Sequence, residues 1–369
     1  MFIVDSDAFG GAEIYVRRLV RLAPPWLRCH VVVSEEVSEH FVGRFPGTDV
    51  VVVPLARHRP TAPAITEALA ALHPDVVHVN LVDPASNQAA LSAALALAPT
   101  VATLHLEGET GHGSACDRLQ RTYSRLTSVI APSEPIARQL VGTLGVPPAR
   151  VVRVRHGVDI PPRPRPPVDH EPPVVVAVGR LTPQKGFDLL FDAVAELCAR
   201  GRRLRVVVAG EGRDAAALRD RADGLPVEFR GLCRDVPALL ASGDVFCLPS
   251  RREALSLALL EAAAVGLPAV TTDVGDHRSA LAGAALIVPP GDRIALTEAL
   301  GHLLGDVALR RELGARARER AVRDFDARGM AARTAAVLAS AALTTVDGPL
   351  RTEQRRRGGG GHTGSRWGR

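Results

Sequence analysis

Lysine is almost missing from this 369-residue chain: of its 45 basic side chains, Lys185 alone is not arginine. A genome rich in Arg codons accounts for the bias. A flexible ammonium and a planar guanidinium are not interchangeable, however, so the surviving lysine marks either drift or a position where Arg will not serve. Cysteine is sparse as well. Cys29, Cys116, Cys198, Cys233 and Cys247 are odd in number and lack any C-x-x-C pair, which excludes a disulfide framework or a zinc ribbon and fits a reducing compartment. Aromatics make up only 4% of residues, too few for a stacking platform on single-stranded nucleic acid. Long apolar runs are absent: the stretches at 89–98 and 254–265 are short or interrupted by Glu261, and neither can span a bilayer. The first residues, MFIVDSDAFGG, lack the basic n-region of a secretory signal. No Ser/His/Asp order, H-E-x-x-H or Cys/His metal spacing occurs.

What is present is ordinary globular material, with 46% hydrophobic and 23% charged residues and a length that suits two domains. The net charge of +5 is mostly local. Residues 347–369 hold six Arg against Asp347 and Glu353, leaving 39 basic and 38 acidic residues elsewhere. That tail has little to bury and is expected to be disordered, and no basic patch for nucleic acid is indicated on the folded body.

Short β-branched runs alternate with Ala/Leu-rich helical stretches, the pattern of parallel sheets covered on both faces. In the first half, 31–33, 51–54, 75–79, 100–104, 128–131 and 151–154 read as strands, with helices at 62–72, 84–97, 113–126 and 134–143 between them. The segment IPPRPRPPVDHEPP (160–173) is half proline and should run extended as a domain boundary. Alternation restarts with strands at 174–178, 204–209, 227–229, 245–248 and 269–272, and helices near 186–200, 213–222, 254–265, 292–304 and 307–323. A last helix, about 327–343, has no strand after it and is free to pack back on the first domain. The expected class is α/β: two doubly wound, Rossmann-like domains facing across a cleft, with ligands at strand carboxyl ends. The parts are residues 1–160, a linker at 161–173, a second domain at 174–326, a returning helix at 327–346 and the tail at 347–369.

Several residues could carry chemistry. GRLTPQKGF (179–187) follows a strand and opens a helix, so Arg180 and Lys185 could converge on one anion; two solvated surface cations fit the spacing equally well. In SRREALSLALLEAAAVGLPAV (250–270), Glu253 stands at a helix entrance and Glu261 lies eight residues on, roughly 12 Å at helical rise. Those carboxylates could accept from a sugar and a ribose, with amides near Ala254, Leu255 and Ser256 holding phosphate between them. The bland alternative makes Glu253 a partner of the helix dipole and Glu261 a polar position, but Glu261 interrupts an apolar face and needs partners. AGEGRDA (209–215) matches G-x-G-x-x-A, yet Glu211 sits where a pyrophosphate should come, so a tight turn explains it better. Gly10 and Gly11 precede a helix after the first strand and could bring backbone to a phosphate, or simply form a turn. His105 ends a strand and should face the cleft, although a lone histidine is more often structural; His78 and His156 are weaker cases of the same kind. Asp5-Ser6-Asp7 imitates a metal-binding D-x-D but reads as strand-end polarity.

Taken together, GGAE (10–13), DVVHVN (75–80), VATLH (101–105), APSE (131–134), RHGVD (155–159), VGRLTPQKG (178–186) and the 249–270 segment with its E-x7-E resemble the family 4 glycosyltransferases. The resemblance runs from Gly10 to about residue 343 and implies the GT-B fold. It implies that Arg180 and Lys185 hold the donor diphosphate and leaving group, Glu253 the donor sugar and Glu261 the ribose. Gly10 and Gly11 would approach the diphosphate, and His105 would lie at the reacting centre. It also implies a nucleotide-sugar donor, a UDP- or GDP-sugar, no cofactor or essential metal, and transfer with retention by front-face displacement. The acceptor is left open between a lipid-linked glycan, a soluble metabolite and an aglycone. The expected setting is cytoplasmic, with peripheral contact at the inner membrane face left open.

Three positions depart from the family pattern: Ala254 replaces a usual Gly beside the sugar, Asp276 and Ser279 replace a Gly and a Glu, and the first strand starts at Met1. The last raises the expectations of a start upstream and of a shortened sheet edge that weakens the Gly10-Gly11 loop. Two other readings stand beside the transferase: a GT-B nucleotide-sugar epimerase that needs no acceptor, and a degenerate nucleotide-binding member without turnover.

Overall fold

The structure, a computed structural model, describes residues 1–54, 62–166 and 169–344. Valine-rich segments, poor in polar side chains, form strands that can be buried on both faces, as parallel sheets require. In the first half these are Phe2–Val4 (β1), His30–Ser34 (β2), Asp49–Val53 (β3), Val77–Leu81 (β4), Thr100–Leu104 (β5), Ser128–Ala131 (β6) and Val151–Arg153 (β7). They form one parallel sheet in the order β3-β2-β1-β4-β5-β6-β7. In the second half come Val174–Val178 (β8), Arg205–Ala209 (β9), Val227–Phe229 (β10), Val245–Leu248 (β11), Ala269–Thr272 (β12) and Leu286–Val288 (β13). These give a second parallel sheet, ordered β10-β9-β8-β11-β12-β13.

Alternate strand residues feed opposite layers. Ile3 packs under one face of the first sheet, and Phe2 and Val4 under the other. Val174 and Val176 divide from Val175 and Ala177 in the same way in the second. The short β1 is not a sheet edge, contrary to the expectation drawn from its start at Met1. It pairs with β2 on one side and β4 on the other, and the Met1 amino group donates to Val76 O at 2.9 Å.

The sheet orders decide where ligands can go. In each sheet the connections reverse direction beside the first strand, between β1 and β4 and between β8 and β11. Loops leaving such neighbours diverge to opposite faces and open a crevice at the strands' carboxyl ends. The loops concerned hold Gly10 and Gly11 after β1, Arg180 and Lys185 after β8, and Glu253 after β11.

The last helix, Ala327–Leu343, does return to the first domain. Met330, Ala331, Leu338 and Ala341 join a layer with Val4, Tyr15, Leu19 and Ile130. Where the chain crosses between domains its two passes bond to each other, Val158 N to Phe325 O at 2.8 Å and Ala327 N to Val158 O at 3.0 Å. The described residues of the proline-rich segment lie along the second domain. Arg165 donates to Gly243 O, and Arg318 reaches back to Pro161 O. Residues 347–369, expected to be a disordered tail, fall outside the described residues. Among the described residues no helix is long and apolar enough to cross a membrane.

Some boundaries differ from the sequence reading. The helix expected from 254 begins at Leu257, because Ser256 takes the N-cap and its hydroxyl accepts from Leu259 N. Strand β13 and the short helices Val236–Ala241 and His277–Leu281 were not anticipated; at three to six residues they are too short to show a period.

Candidate active site

The two crevices face each other. Gly10 caps the helix Gly11–Arg21, its amide donating to Glu13 Oε2 at 2.7 Å. A Cβ built on Gly10 would lie 3.9 Å from Arg180 Cδ, and one on Gly11 3.6 Å from Leu257 Cδ1. The Gly10-Gly11 turn of the first domain is therefore opposed by the β8 loop and the helix Leu257–Val265 of the second. Among the described residues, Arg180 has no carboxylate partner, which leaves its guanidinium available to an anion.

Lys185 is held differently. Its ammonium lies 2.5 Å from Glu253 Oε1, both side chains being largely buried. The Ser250 hydroxyl donates to that same oxygen at 2.9 Å. The lysine stem runs against Gly179, whose hypothetical Cβ would meet Lys185 Cδ and Cε at 3.4 Å. Burial opposes ionisation of Glu253, but Lys185, His277 and Ser250 outweigh it and hold the carboxyl below its usual range. Lys185 and Glu253, 68 positions apart in sequence but joined in space, thus form one unit.

Glu261 also finds a partner, one that the sequence reading missed. Arg18 Nη2 lies 2.5 Å from Glu261 Oε1, while Arg18 Nε bonds Asp159 Oδ2 at 3.3 Å. Burial raises the Glu261 carboxyl above its usual range, and Arg18 offsets this only in part. A signal for Arg18 existed: it sits on the buried stripe of its helix with Tyr15 and Leu19, where an arginine must be paired.

His105 is brought to the cleft floor between the domains, buried and far from alone. Its Nε2 lies 2.6 Å from Asn80 Oδ1, and its Nδ1 lies 3.1 Å from His156 Nε2. His156 Nδ1 in turn lies 3.1 Å from Leu255 O, in the second domain. The Asn80 amide nitrogen donates to Ala12 O at 3.3 Å, tying the line to the Gly10-Gly11 turn. His78, by contrast, bonds Thr103 Oγ1 inside the first domain and packs on Phe2.

The departing loop explains itself structurally. Asp276 accepts from Glu134 N at 3.1 and 3.2 Å and from Arg153 Nη2 at 2.9 Å, so it fastens the second domain to the first. Its amide donates to Ala254 O at 2.7 Å. Gly275, at φ +54°, would put a Cβ 2.1 Å from that same oxygen, so glycine is required there. Ser279 only turns back to Asp276 O. Ala254 is buried with the first domain's core, where its methyl adds an interdomain apolar contact.

The Ser256 amide, expected to lie near phosphate, is engaged within the second domain. That amide donates to His277 Nε2 at 3.4 Å, while His277 Nδ1 faces Thr272 O. Since helix formation starts only at Leu257, Ala254 to Ser256 form a bend and not a first turn. The discounted G-x-G-x-x-A has a packing reason. Cβ atoms on Gly210 and Gly212 would lie 1.9 Å from Gly179 O and 2.3 Å from Leu181 O, so these glycines seat the β8 loop. In Asp5-Ser6-Asp7, Ser6 bonds Glu13 and Ser34 at the end of β1. Among the described residues, no three His, Cys, Asp or Glu side chains gather as a metal site.

Comparison with known proteins agrees with this geometry. Residues 9–161 match the description "Glycosyltransferase Family 4", and residues 172–306 match "Glycosyl transferases group 1". A D-inositol 3-phosphate glycosyltransferase of Kineococcus radiotolerans is 33% identical over 237 residues, 55% of this chain and 54% of its own. A GDP-mannose-dependent phosphatidylinositol dimannoside mannosyltransferase of Mycobacterium tuberculosis is 44% identical over 102 residues, 27% of each chain. The chain thus spans between a quarter and about half the length of these curated relatives. Among solved structures, Anabaena HepE in complex with UDP and glucose superposes with a TM-score of 0.76 at 20% identity, covering 92% of this chain and 98% of that one.

Proposed function

The chain belongs to the family 4, group 1 type glycosyltransferases with the GT-B fold, and from that premise we propose that it moves a sugar from a nucleotide-diphosphate sugar to an acceptor hydroxyl. The observation that supports this best is the meeting of two topological crevices, which sets the Gly10-Gly11 turn against Arg180 and beside the Lys185–Glu253 pair.

In this reading the donor diphosphate lies between the Gly10-Gly11 turn and the β8 loop. Arg180 offers a planar fork to phosphate oxygens, and Lys185 keeps protons for them beyond the one directed at Glu253. Glu253 Oε1 is used by Lys185 and Ser250, so Oε2 is the oxygen left to accept from donor-sugar hydroxyls. Glu261, with Oε1 on Arg18, accepts the ribose hydroxyls through Oε2. Fixed positive charge at the leaving phosphate stabilises the transition state more than the ground state, because charge accumulates there as the glycosidic bond breaks. The bond from the anomeric carbon to the phosphate oxygen breaks, and one to the acceptor oxygen forms on the same face. The acceptor proton passes to the departing phosphate. Glu253 is committed to Lys185 and to hydroxyls, which suits retention by front-face displacement better than a covalent sugar–carboxylate intermediate. Arg180 and Lys185 do in this scheme what a metal would do elsewhere.

Of the relatives named above, one is GDP-mannose-dependent, one was solved with UDP and glucose, and two carry inositol in their names. We take the donor to be a UDP- or GDP-sugar and the acceptor a hydroxyl of a lipid-linked glycan or a small metabolite. Melting the protein with UDP, GDP or ADP is the first test, since a ligand bound only to the folded state raises Tm. Nucleoside diphosphate should then be released from the matching donor only when acceptor is present, and EDTA should leave the rate unchanged. Failure of every nucleotide to raise Tm, with no transfer, would refute the assignment.

A further inference from the structure

The line Asn80–His105–His156–Leu255 has an unbalanced proton count. The Leu255 carbonyl can only accept, so His156 Nδ1 must carry a hydrogen. The Asn80 amide is oriented by its donation to Ala12 O, which leaves Oδ1 facing His105 Nε2, so that nitrogen must carry a hydrogen too. Two neutral imidazoles hold only these two protons. His105 Nδ1 and His156 Nε2 then confront each other at 3.1 Å with lone pairs on both. A third proton turns the repulsion into a charge-assisted hydrogen bond between imidazole and imidazolium.

The surroundings explain why the proton is not held unaided. Burial, with Arg18 nearby, pushes His156 down to about 4, and burial with the neighbouring His156 and His78 pushes His105 well below its usual range too. The groups facing the pair are Tyr15 and Arg18 from the helix Gly11–Arg21, His78 from β4 and Glu253 from the loop after β11. Tyr15 is kept protonated by burial, and Arg18 is matched by Glu261 and Asp159. Besides the Leu255 carbonyl, Glu253 is the one of these groups that favours a cation, and it is tied to Lys185. One end of the line fastens to the Gly10-Gly11 turn, beside which the diphosphate would lie, and the other to the Glu253 loop.

We propose that the His105–His156 pair takes up one proton when the nucleotide-sugar donor binds and holds it as a shared imidazolium on the cleft floor. This rests on the donor site assigned above. The negative diphosphate supplies the compensation that the protein withholds, and the completed hydrogen bond closes the line from His105, just after β5, through His156 to the Glu253 loop of the second domain. His156 is then a positioning residue for His105 and for that loop, and donor binding is coupled to pH.

The test is calorimetric titration with UDP-glucose and GDP-mannose in phosphate and in Tris buffer at pH 7.5. The diesterified diphosphate of these probes does not itself titrate near neutrality. The difference in observed enthalpy between buffers should give an uptake near one proton per donor bound. The donor Kd should rise by up to about tenfold per pH unit above neutrality, as one-proton linkage requires. His156→Gln should bind more weakly, with uptake near zero and a flat pH dependence. If that variant does not fold, His105→Gln serves, and the wild-type uptake and pH slope stand without either. Binding without uptake, or uptake that persists in the variants, overturns the proposal while leaving the donor site in place. Binding of neither probe, nor of UDP, GDP or ADP, removes the donor site and this inference together.

Discussion

Replacing Lys185 by Met should reverse the pH dependence of stability. In the wild type the Glu253 carboxyl lies below its usual range because Lys185, His277 and Ser250 outweigh its burial. Its ionisation therefore adds stability that is present above the unfolded carboxyl pKa of about 4.3 and lost as pH falls through the lower folded value. Methionine fills the space along Gly179 but removes the ammonium 2.5 Å from Oε1. Burial then dominates, the carboxyl rises above its usual value, and the ionised form becomes a buried charge short of its partner. Removing one member of a buried pair costs about 3–5 kcal/mol, and the lower end applies here because Ser250 remains. At pH 8 this corresponds to a fall of roughly 6–12 °C in Tm for a body the size of the second domain. The deficit should shrink toward pH 5 as Glu253 takes up a proton. Melting curves from pH 5 to 8 read this directly, and Lys185→Met/Glu253→Gln should recover most of the Tm without activity. A deficit equal at pH 5 and pH 8, or none at either, would refute the reasoning.

Lys185→Arg should fold, yet turn over at least about tenfold slower, because a wider head cannot keep the ammonium's contact with Glu253 along the Gly179 groove; steady-state kinetics with the matched donor decide it. Glu261→Ala should weaken nucleotide binding about tenfold or more, as loss of a charged hydrogen bond does, and leave Arg18 short of a partner. Glu253→Gln, in contrast, should lower kcat more than affinity for the bare nucleotide, so calorimetry and kinetics will separate the two glutamates. Asp276→Asn keeps the shape but removes the charge from its bonds to Glu134 N and Arg153; it should lower Tm and enlarge the radius of gyration measured by X-ray scattering.

Much of the fold was legible because its signals are local. β-branched runs alternate with Ala/Leu-rich helices, and proline fills the segment between the halves, so sheet class and helix order follow from period and composition. The strands 100–104, 128–131 and 174–178 and the helix 327–343 fall where the pattern puts them. Elements without room for a period, such as β13 and the helix His277–Leu281, were not visible. A boundary moved where one side chain captured it, as Ser256 did at the helix expected from Ala254.

The candidate site divides along the same line. Sequence alone named Gly10, Gly11, His105, Arg180, Lys185, Glu253 and Glu261, because each stands at a strand end, a helix start or an interruption in an apolar face. Who partners whom was decided only by tertiary structure. Arg18 meets Glu261 across 243 positions, His105 meets His156 across 51, and Asp276 reaches Glu134 across 142. Contacts of that reach leave no periodic trace, since they arise from the order in which strands stack and from two domains closing on each other. The single lysine shows both halves of this. Its rarity is written in the sequence, but its reason, a stem laid along Gly179 and an ammonium seated on Glu253, exists only once the β8 and β11 loops lie side by side.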